Sequence, residues 1–105
     1  MAIFLDVMKE ELERNLYKQK AFKDELKNLP NGYLSKCVID GRPYIYRKKR
    51  IGNRIMSEYI GVPDDESVKI AEIQRSDYLR IKESLKRLKN EEKRLRRAIN
   101  DYEKL

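Results

Sequence analysis

The chain has 105 residues, 41% of them charged, with a net charge of +7 and no histidine. That length predicts one domain with a modest core, and the lack of histidine removes the commonest general base and metal ligand. A single cysteine, Cys37, forbids an intramolecular disulfide and fits a reducing compartment, while no run of about eighteen apolar residues marks a membrane span.

Charge is distributed unevenly. Residues 1–29 carry six basic and six acidic side chains and are neutral, whereas residues 30–62 carry seven and two, a net +5. Residues 63–73, with one basic and four acidic side chains, stand at −3, and residues 74–105, with eleven and six, return to +5. A polyanionic partner would therefore meet the middle block and the C-terminal segment; solubility alone would ask for the same charges.

The first predicted element is a helix over residues 1–29. Leu5, Leu12, Gln19 and Leu26 step by seven, as do Met8, Asn15, Phe22 and Leu29, with Leu16 flanking, which makes one apolar stripe. Asp6 and Lys9 break the opening apolar stretch, so it lacks the basic start and apolar centre of a signal peptide. A soluble, cytoplasmic protein is expected. Leu29-Pro30-Asn31-Gly32 stops the helix, because the residue before proline avoids the α region and Asn-Gly supplies turn geometry.

Residues 30–62 read as a sheet. Asp40-Gly41 and Gly52-Asn53 are two-residue hairpin signals flanked by β-branched and aromatic residues, which predicts a three-stranded antiparallel meander. Residue 39 then pairs with 42 and residue 51 with 54, and the alternation assigns the faces. One face carries Tyr33, Ser35, Cys37, Ile39, Tyr44, Tyr46, Ile55, Ser57 and Tyr59, with Arg42, Lys48 and Arg50 at its ends. The other mixes Leu34, Val38, Pro43, Ile45, Ile51, Met56 and Ile60 with Lys36, Arg47, Lys49, Arg54 and Glu58. The tyrosine face is expected to pack on the helices, since burying Lys36, Arg47 and Lys49 unpartnered would cost several kcal/mol each. Cys37, in a strand and without a histidine to activate it, reads as a small hydrophobe.

A second helix is predicted over residues 63–105, opened by Pro63-Asp64-Asp65-Glu66-Ser67, where Asp64 can cap and the acids suit the helix dipole. Its stripe runs through Ala71, Tyr78, Leu85, Glu92 and Ile99, joined by Ile81, Leu88, Leu95 and Tyr102, while Val68, Ile70 and Ile73 are expected to cover the sheet. The whole is an α+β chain: a long antiparallel helical hairpin, coiled-coil-like, with an inserted three-stranded antiparallel β-meander. Asn15 falls near Glu92, so this polar pair either aligns the helices or points to solvent. One partner helix covers only half of such a stripe, which leaves room for a homodimer through the helices.

Candidate chemistry is confined to binding. No metal-ligand spacing or Gly-rich phosphate loop is present, and Asp64-Asp65-Glu66 is accounted for by capping, so neither enzyme activity nor a cofactor or metal is expected. Arg47, Lys48, Lys49, Arg50 and Arg54 converge on the second hairpin, which suits phosphate contacts or entry into a groove, or else protects a sheet edge from aggregation. Lys86, Lys89, Lys93, Arg96 and Arg97 share a ridge of the last helix that could track a phosphate backbone, unless Glu83, Glu91 and Asp101 neutralise it as an ordinary solvated face. With the tyrosines directed at the core, stacking of single-stranded bases is not expected.

The order long helix, Leu29-Pro30-x-Gly32, Ile39-x-Gly41-x-x-Tyr44-x-Tyr46, basic hairpin, Tyr59-Ile60-Gly61, long helix resembles a family of small uncharacterised proteins of bacteria and their mobile elements. The sheet motif alone is similar to a segment near the start of some transposases, and the resemblance implies this fold and a mobile-element setting. Family members often carry an apolar residue where this chain has Arg47. The expected function is non-catalytic binding of nucleic acid through its phosphates. The alternatives are a phage or mobile-element inhibitor, such as an anti-CRISPR protein, that binds a nucleic-acid-processing nuclease, and a coiled-coil adaptor.

Overall fold

The computed structural model describes residues 2–105. Helix α1 (Ala2–Lys27) leads to strands β1 (Tyr33–Ile39), β2 (Arg42–Ile51) and β3 (Arg54–Gly61), and helix α2 (Glu66–Glu103) closes the chain. This is the expected α+β order of a helical hairpin carrying an inserted meander. Two compact units are formed, one by α1 with residues 81–105 and one by residues 29–80. No helix among the described residues is long and apolar enough to cross a membrane.

In the helical unit, the two stripes meet where the seven-residue spacing placed them. From α1, Leu5, Met8, Leu12, Phe22 and Leu26 are half-buried, and Asn15 and Gln19 are 1% and 4% exposed. From α2, Ile81 and Leu85 are buried and Leu88, Glu92, Leu95, Ile99 and Tyr102 half-buried. Leu16, flanking the stripe, stays exposed. The helices run antiparallel, since Lys9 pairs with Glu103 at 3.2 Å while Asn15, further along α1, reaches the earlier Leu88 carbonyl at 2.8 Å.

The polar members of the stripes make a connected network rather than pointing to solvent. Asn15 Nδ2 donates to the Leu88 carbonyl and, at 3.4 Å, to Glu91 Oε1. Gln19 Nε2 donates to Asn15 Oδ1 at 2.6 Å and to Glu92 Oε1 at 2.8 Å. Asn15 was the expected partner of Glu92; Gln19, one turn on, takes that place. Asn15 crosses the seam as well, but to the Leu88 carbonyl and Glu91, which leaves the Glu92 carboxylate to Gln19. No described buried side-chain nitrogen or oxygen is left without a partner, which is the condition under which polar residues inside a helix pair are tolerated.

In the other unit, the sheet order is β1-β2-β3 with both pairs antiparallel. Ile39 pairs with Arg42 and Ile51 with Arg54, as the two-residue turns require. Asp40 and Gly41 both take positive φ (52° and 77°), the requirement of a type I′ turn. The β2–β3 register shifts between Ile45 and Tyr46, where Tyr46 faces Tyr59 but Ile45 faces Gly61, leaving Ile60 as the extra residue of a bulge. The bulge was not legible from the alternation. Gly32 is required by geometry: its φ is +108° and a Cβ there would lie 2.5 Å from the Lys48 carbonyl oxygen.

The first part of α2 covers the sheet, but on the face opposite to the one expected. Arg47 Nη2 donates to Gln74 Oε1 at 3.4 Å, and Leu34 and Arg47 bound a narrow void with Ala71, Gln74 and Arg75. The mixed face is therefore the inner one and the tyrosine face is outward. The cost that argued against this arrangement is avoided because Arg47 is not unpartnered: Nη1 meets Glu58 Oε2 at 3.3 Å across the β2–β3 pair, and Lys36 and Lys49 remain exposed beyond the helix. Val68 and Ala71 supply the buried contact from α2, whereas Ile70 and Ile73, expected to cover the sheet, are exposed. Ile70 and Ile73 are each two residues from Val68 or Ala71, about 200° around the helix at 3.6 residues per turn. The helix starts at Glu66 with Asp65, not Asp64, before it; the Asp65 carboxylate accepts from the Val62 N–H at 3.0 Å and Ser67 Oγ donates to the Ile60 carbonyl at 2.9 Å.

Candidate nucleic-acid interface

The basic residues singled out from the sequence divide by environment. Arg47 belongs to the inner face, its side chain 18% exposed and held by Glu58 and Gln74, so it is a structural residue of the sheet-on-helix contact. Lys49, Arg50 and Arg54 stand exposed around the Gly52-Asn53 turn, and Lys48 is half-buried one step back on β2. None of these four side chains has an ion-pair or hydrogen-bond partner among the described residues. The tip therefore presents uncompensated positive charge carried on a paired, two-stranded ribbon, which fixes where the charges project.

Beside the tip, a cleft of about 250 Å³ on the inner-face side is bounded by Pro30, Asn31, Arg47, Lys49, Met56 and Glu58. Glu58 and Arg47 neutralise each other in its wall, so Lys49 supplies the free charge there. That mixed lining has no set of groups arranged for proton transfer, and no cluster of potential metal ligands occurs among the described residues.

On α2, Lys86, Lys89, Lys93, Arg96 and Arg97 are all exposed. Arg96 is engaged, its Nε 2.7 Å from Glu92 Oε2. The other four have no partner among the described residues: Glu83 pairs with the off-ridge Arg87 at 3.8 Å, and Glu91 is turned to Asn15. Lys86, Lys89, Lys93 and Arg97 follow one another by three or four residues, a row of about 16 Å at 1.5 Å per residue. Glu92, by contrast, is held below the ordinary carboxylate range first by the Gln19 amide and then by Arg96.

The outward sheet face contributes residues that the sequence reading had assigned to the core. Tyr33 is 46% and Tyr59 54% exposed, with Tyr44 and Tyr46 half-exposed beside them. The Tyr59 ring centroid lies 5.5 Å from that of Tyr46 and 6.2 Å from that of Tyr44, tilted by 64° and 56°. The alternation had already put these rings on one face with Lys48 and Arg50. A signal for their exposure lay in Glu58, whose register opposite Arg47 offered the inner face a charge partner.

Compared with family models, curated proteins and solved structures, the chain finds no match in any of the three.

Proposed function

We propose that the protein binds nucleic acid without reacting with it, contacting phosphates through the hairpin tip and through the α2 ridge. The observation that supports this reading is the set of exposed, uncompensated cations: Lys49, Arg50 and Arg54 at the tip, and Lys86, Lys89, Lys93 and Arg97 on α2. Surface cations of a chain that only needed solubility are commonly laced with carboxylates, whereas each phosphate neutralised by a free cation releases a counterion and gains affinity. Action in the cytoplasm, where Cys37 stays reduced, is part of the same proposal. Exposed Ile3, Phe4 and Val7 on α1 support pairing of two copies through the helices.

The test is fluorescence anisotropy of labelled DNA and RNA, single-stranded and duplex, over a series of salt concentrations. Binding that weakens steeply with salt, and that is reduced by Lys49→Gln, Arg50→Gln and Arg54→Gln together, is the expected result. No binding at low salt would remove nucleic acid as the ligand and turn the search to a protein target such as a nuclease, sought by capture from nuclease-treated lysate.

A further inference from the structure

Resting on the nucleic-acid reading above, we infer that the ligand is single-stranded and that its bases stack on the outward sheet face, on Tyr33, Tyr44, Tyr46 and Tyr59. The starting point is the face itself. Its β2 row reads Arg42, Tyr44, Tyr46, Lys48, Arg50, two rings framed by cations, at a step of about 6.7 Å per two residues. Strand β1 sets Cys37 beside Tyr44, Ser35 beside Tyr46 and Tyr33 beside Lys48. Strand β3 sets Tyr59 beside Tyr46, Ser57 beside Lys48 and Ile55 beside Arg50.

Three properties of this face point to one kind of occupant. First, the small neighbours Ser35, Cys37 and Ser57 leave room around the rings, and the helix that would have covered them lies on the other side, against Arg47 and Leu34. Second, no Asp or Glu occurs on the face in the register, while Arg42, Lys48 and Arg50 do; Asp64 lines a cleft beside Arg42 and Tyr44, so a polyanion is attracted chiefly at the Lys48 and Arg50 end. Third, aromatic rings exposed on a sheet and edged by cations combine the two terms that single strands satisfy together, stacking of the bases and neutralisation of the phosphates. A duplex satisfies only the second, because its bases already stack on each other. The tip cations Lys49, Arg50 and Arg54 adjoin the Lys48 end of this row, so phosphate contacts can continue from the rings onto the turn.

The experiment compares labelled single strands of about ten nucleotides, within the roughly 4–16 that such platforms occupy, with a duplex of the same sequence. The proteins are the full chain, Tyr59→Ser, Tyr33→Ser, Tyr59→Phe and the triple Lys49→Gln/Arg50→Gln/Arg54→Gln variant, each checked for fold by circular dichroism. Single strands should bind more tightly than the duplex. Tyr59→Ser should weaken single-strand binding by about 5- to 150-fold, the range for removal of one stacking partner, with duplex binding unmoved and Tyr59→Phe near the parent. Tyr33, whose ring makes neither of the Tyr59 contacts, gives the same readout without disturbing the ring cluster.

If the serine variants bind single strands as the parent does while the triple variant loses binding, the platform is overturned and the phosphate reading stands. If the parent binds no nucleic acid at low salt, both are overturned. If the serine variants instead dissolve a dimer seen by sedimentation and leave nucleic-acid binding unchanged, the face belongs to a second copy of the chain and the inference falls.

Discussion

The side-chain amide of Gln19 donates to the carboxylate of Glu92 at 2.8 Å, joining the two helices through residues that the seven-residue stripes would ordinarily fill with leucine. Arg96 meets the other oxygen of the same carboxylate at 2.7 Å. Both interactions favour the ionised form, and the Glu92 pKa lies below its ordinary value of 4.5. A carboxyl whose folded pKa is depressed stabilises the fold fully above the unfolded value and loses that contribution as pH falls through the folded one. Thermal midpoints should therefore drop as pH is lowered from about 5 toward 3, and Glu92→Gln should drop less over the same range. Equal slopes for the two proteins would show that Glu92 is not part of the acid response.

Gln19 also supplies the donor for Asn15 Oδ1 at a buried position. Gln19→Ala should cost about 1–3 kcal/mol in urea denaturation, because it strands that acceptor and opens space in the seam. A loss near zero would mean that the helices close over the site without the network.

Gly32→Ala places a Cβ 2.5 Å from the Lys48 carbonyl oxygen, at a φ of +108°. Backbone strain alone should cost about 1–3 kcal/mol, and displacement of β2 adds to it. At Gly41, where φ is +77° and a Cβ meets nothing within 4 Å, the alanine substitution should cost only the left-handed penalty of about 1–2 kcal/mol. Chemical denaturation of the two variants should rank Gly32 as the more costly site; the reverse order would contradict the close approach of residue 32 to β2.

Arg47 and its neighbours on the hairpin should separate in their effects. Arg47→Ala removes the bonds to Glu58 and Gln74 and is expected to lower stability by about 1 kcal/mol or more, with the salt dependence of nucleic-acid binding unchanged. Neutralising Lys49, Arg50 or Arg54 should do the opposite, leaving stability alone and reducing the slope of log affinity against log salt by about 0.7 for each single-strand phosphate that is no longer neutralised. Denaturation and anisotropy titrations on the same samples read both quantities, and a salt slope that falls with Arg47→Ala would return Arg47 to the binding surface.

Much of the architecture was legible from local pattern. Leu5, Leu12, Leu26, Met8 and Phe22 on α1, and Leu85, Leu88, Leu95 and Ile99 on α2, occupy the seam because a seven-residue repeat puts them on one side of any helix they form. The hairpin register followed equally from Asp40-Gly41 and Gly52-Asn53, since a two-residue turn dictates which residues face each other. The grouping of the tyrosines on one sheet face followed from alternation alone, and so did their separation from Leu34 and Arg47.

What only the tertiary structure decided is which of those faces the helix would cover. Alternation assigns side chains to two sides of a sheet, but it carries no information on where α2 lies, and the charge argument weighed Arg47 as if it would be buried alone. Glu58 across the β2–β3 pair and Gln74 on α2 partner it instead. That long-range pairing makes the mixed face a tolerable interior and turns the rings of Tyr33 and Tyr59 outward, because the cost of burying a charge depends on partners brought together from distant parts of the chain.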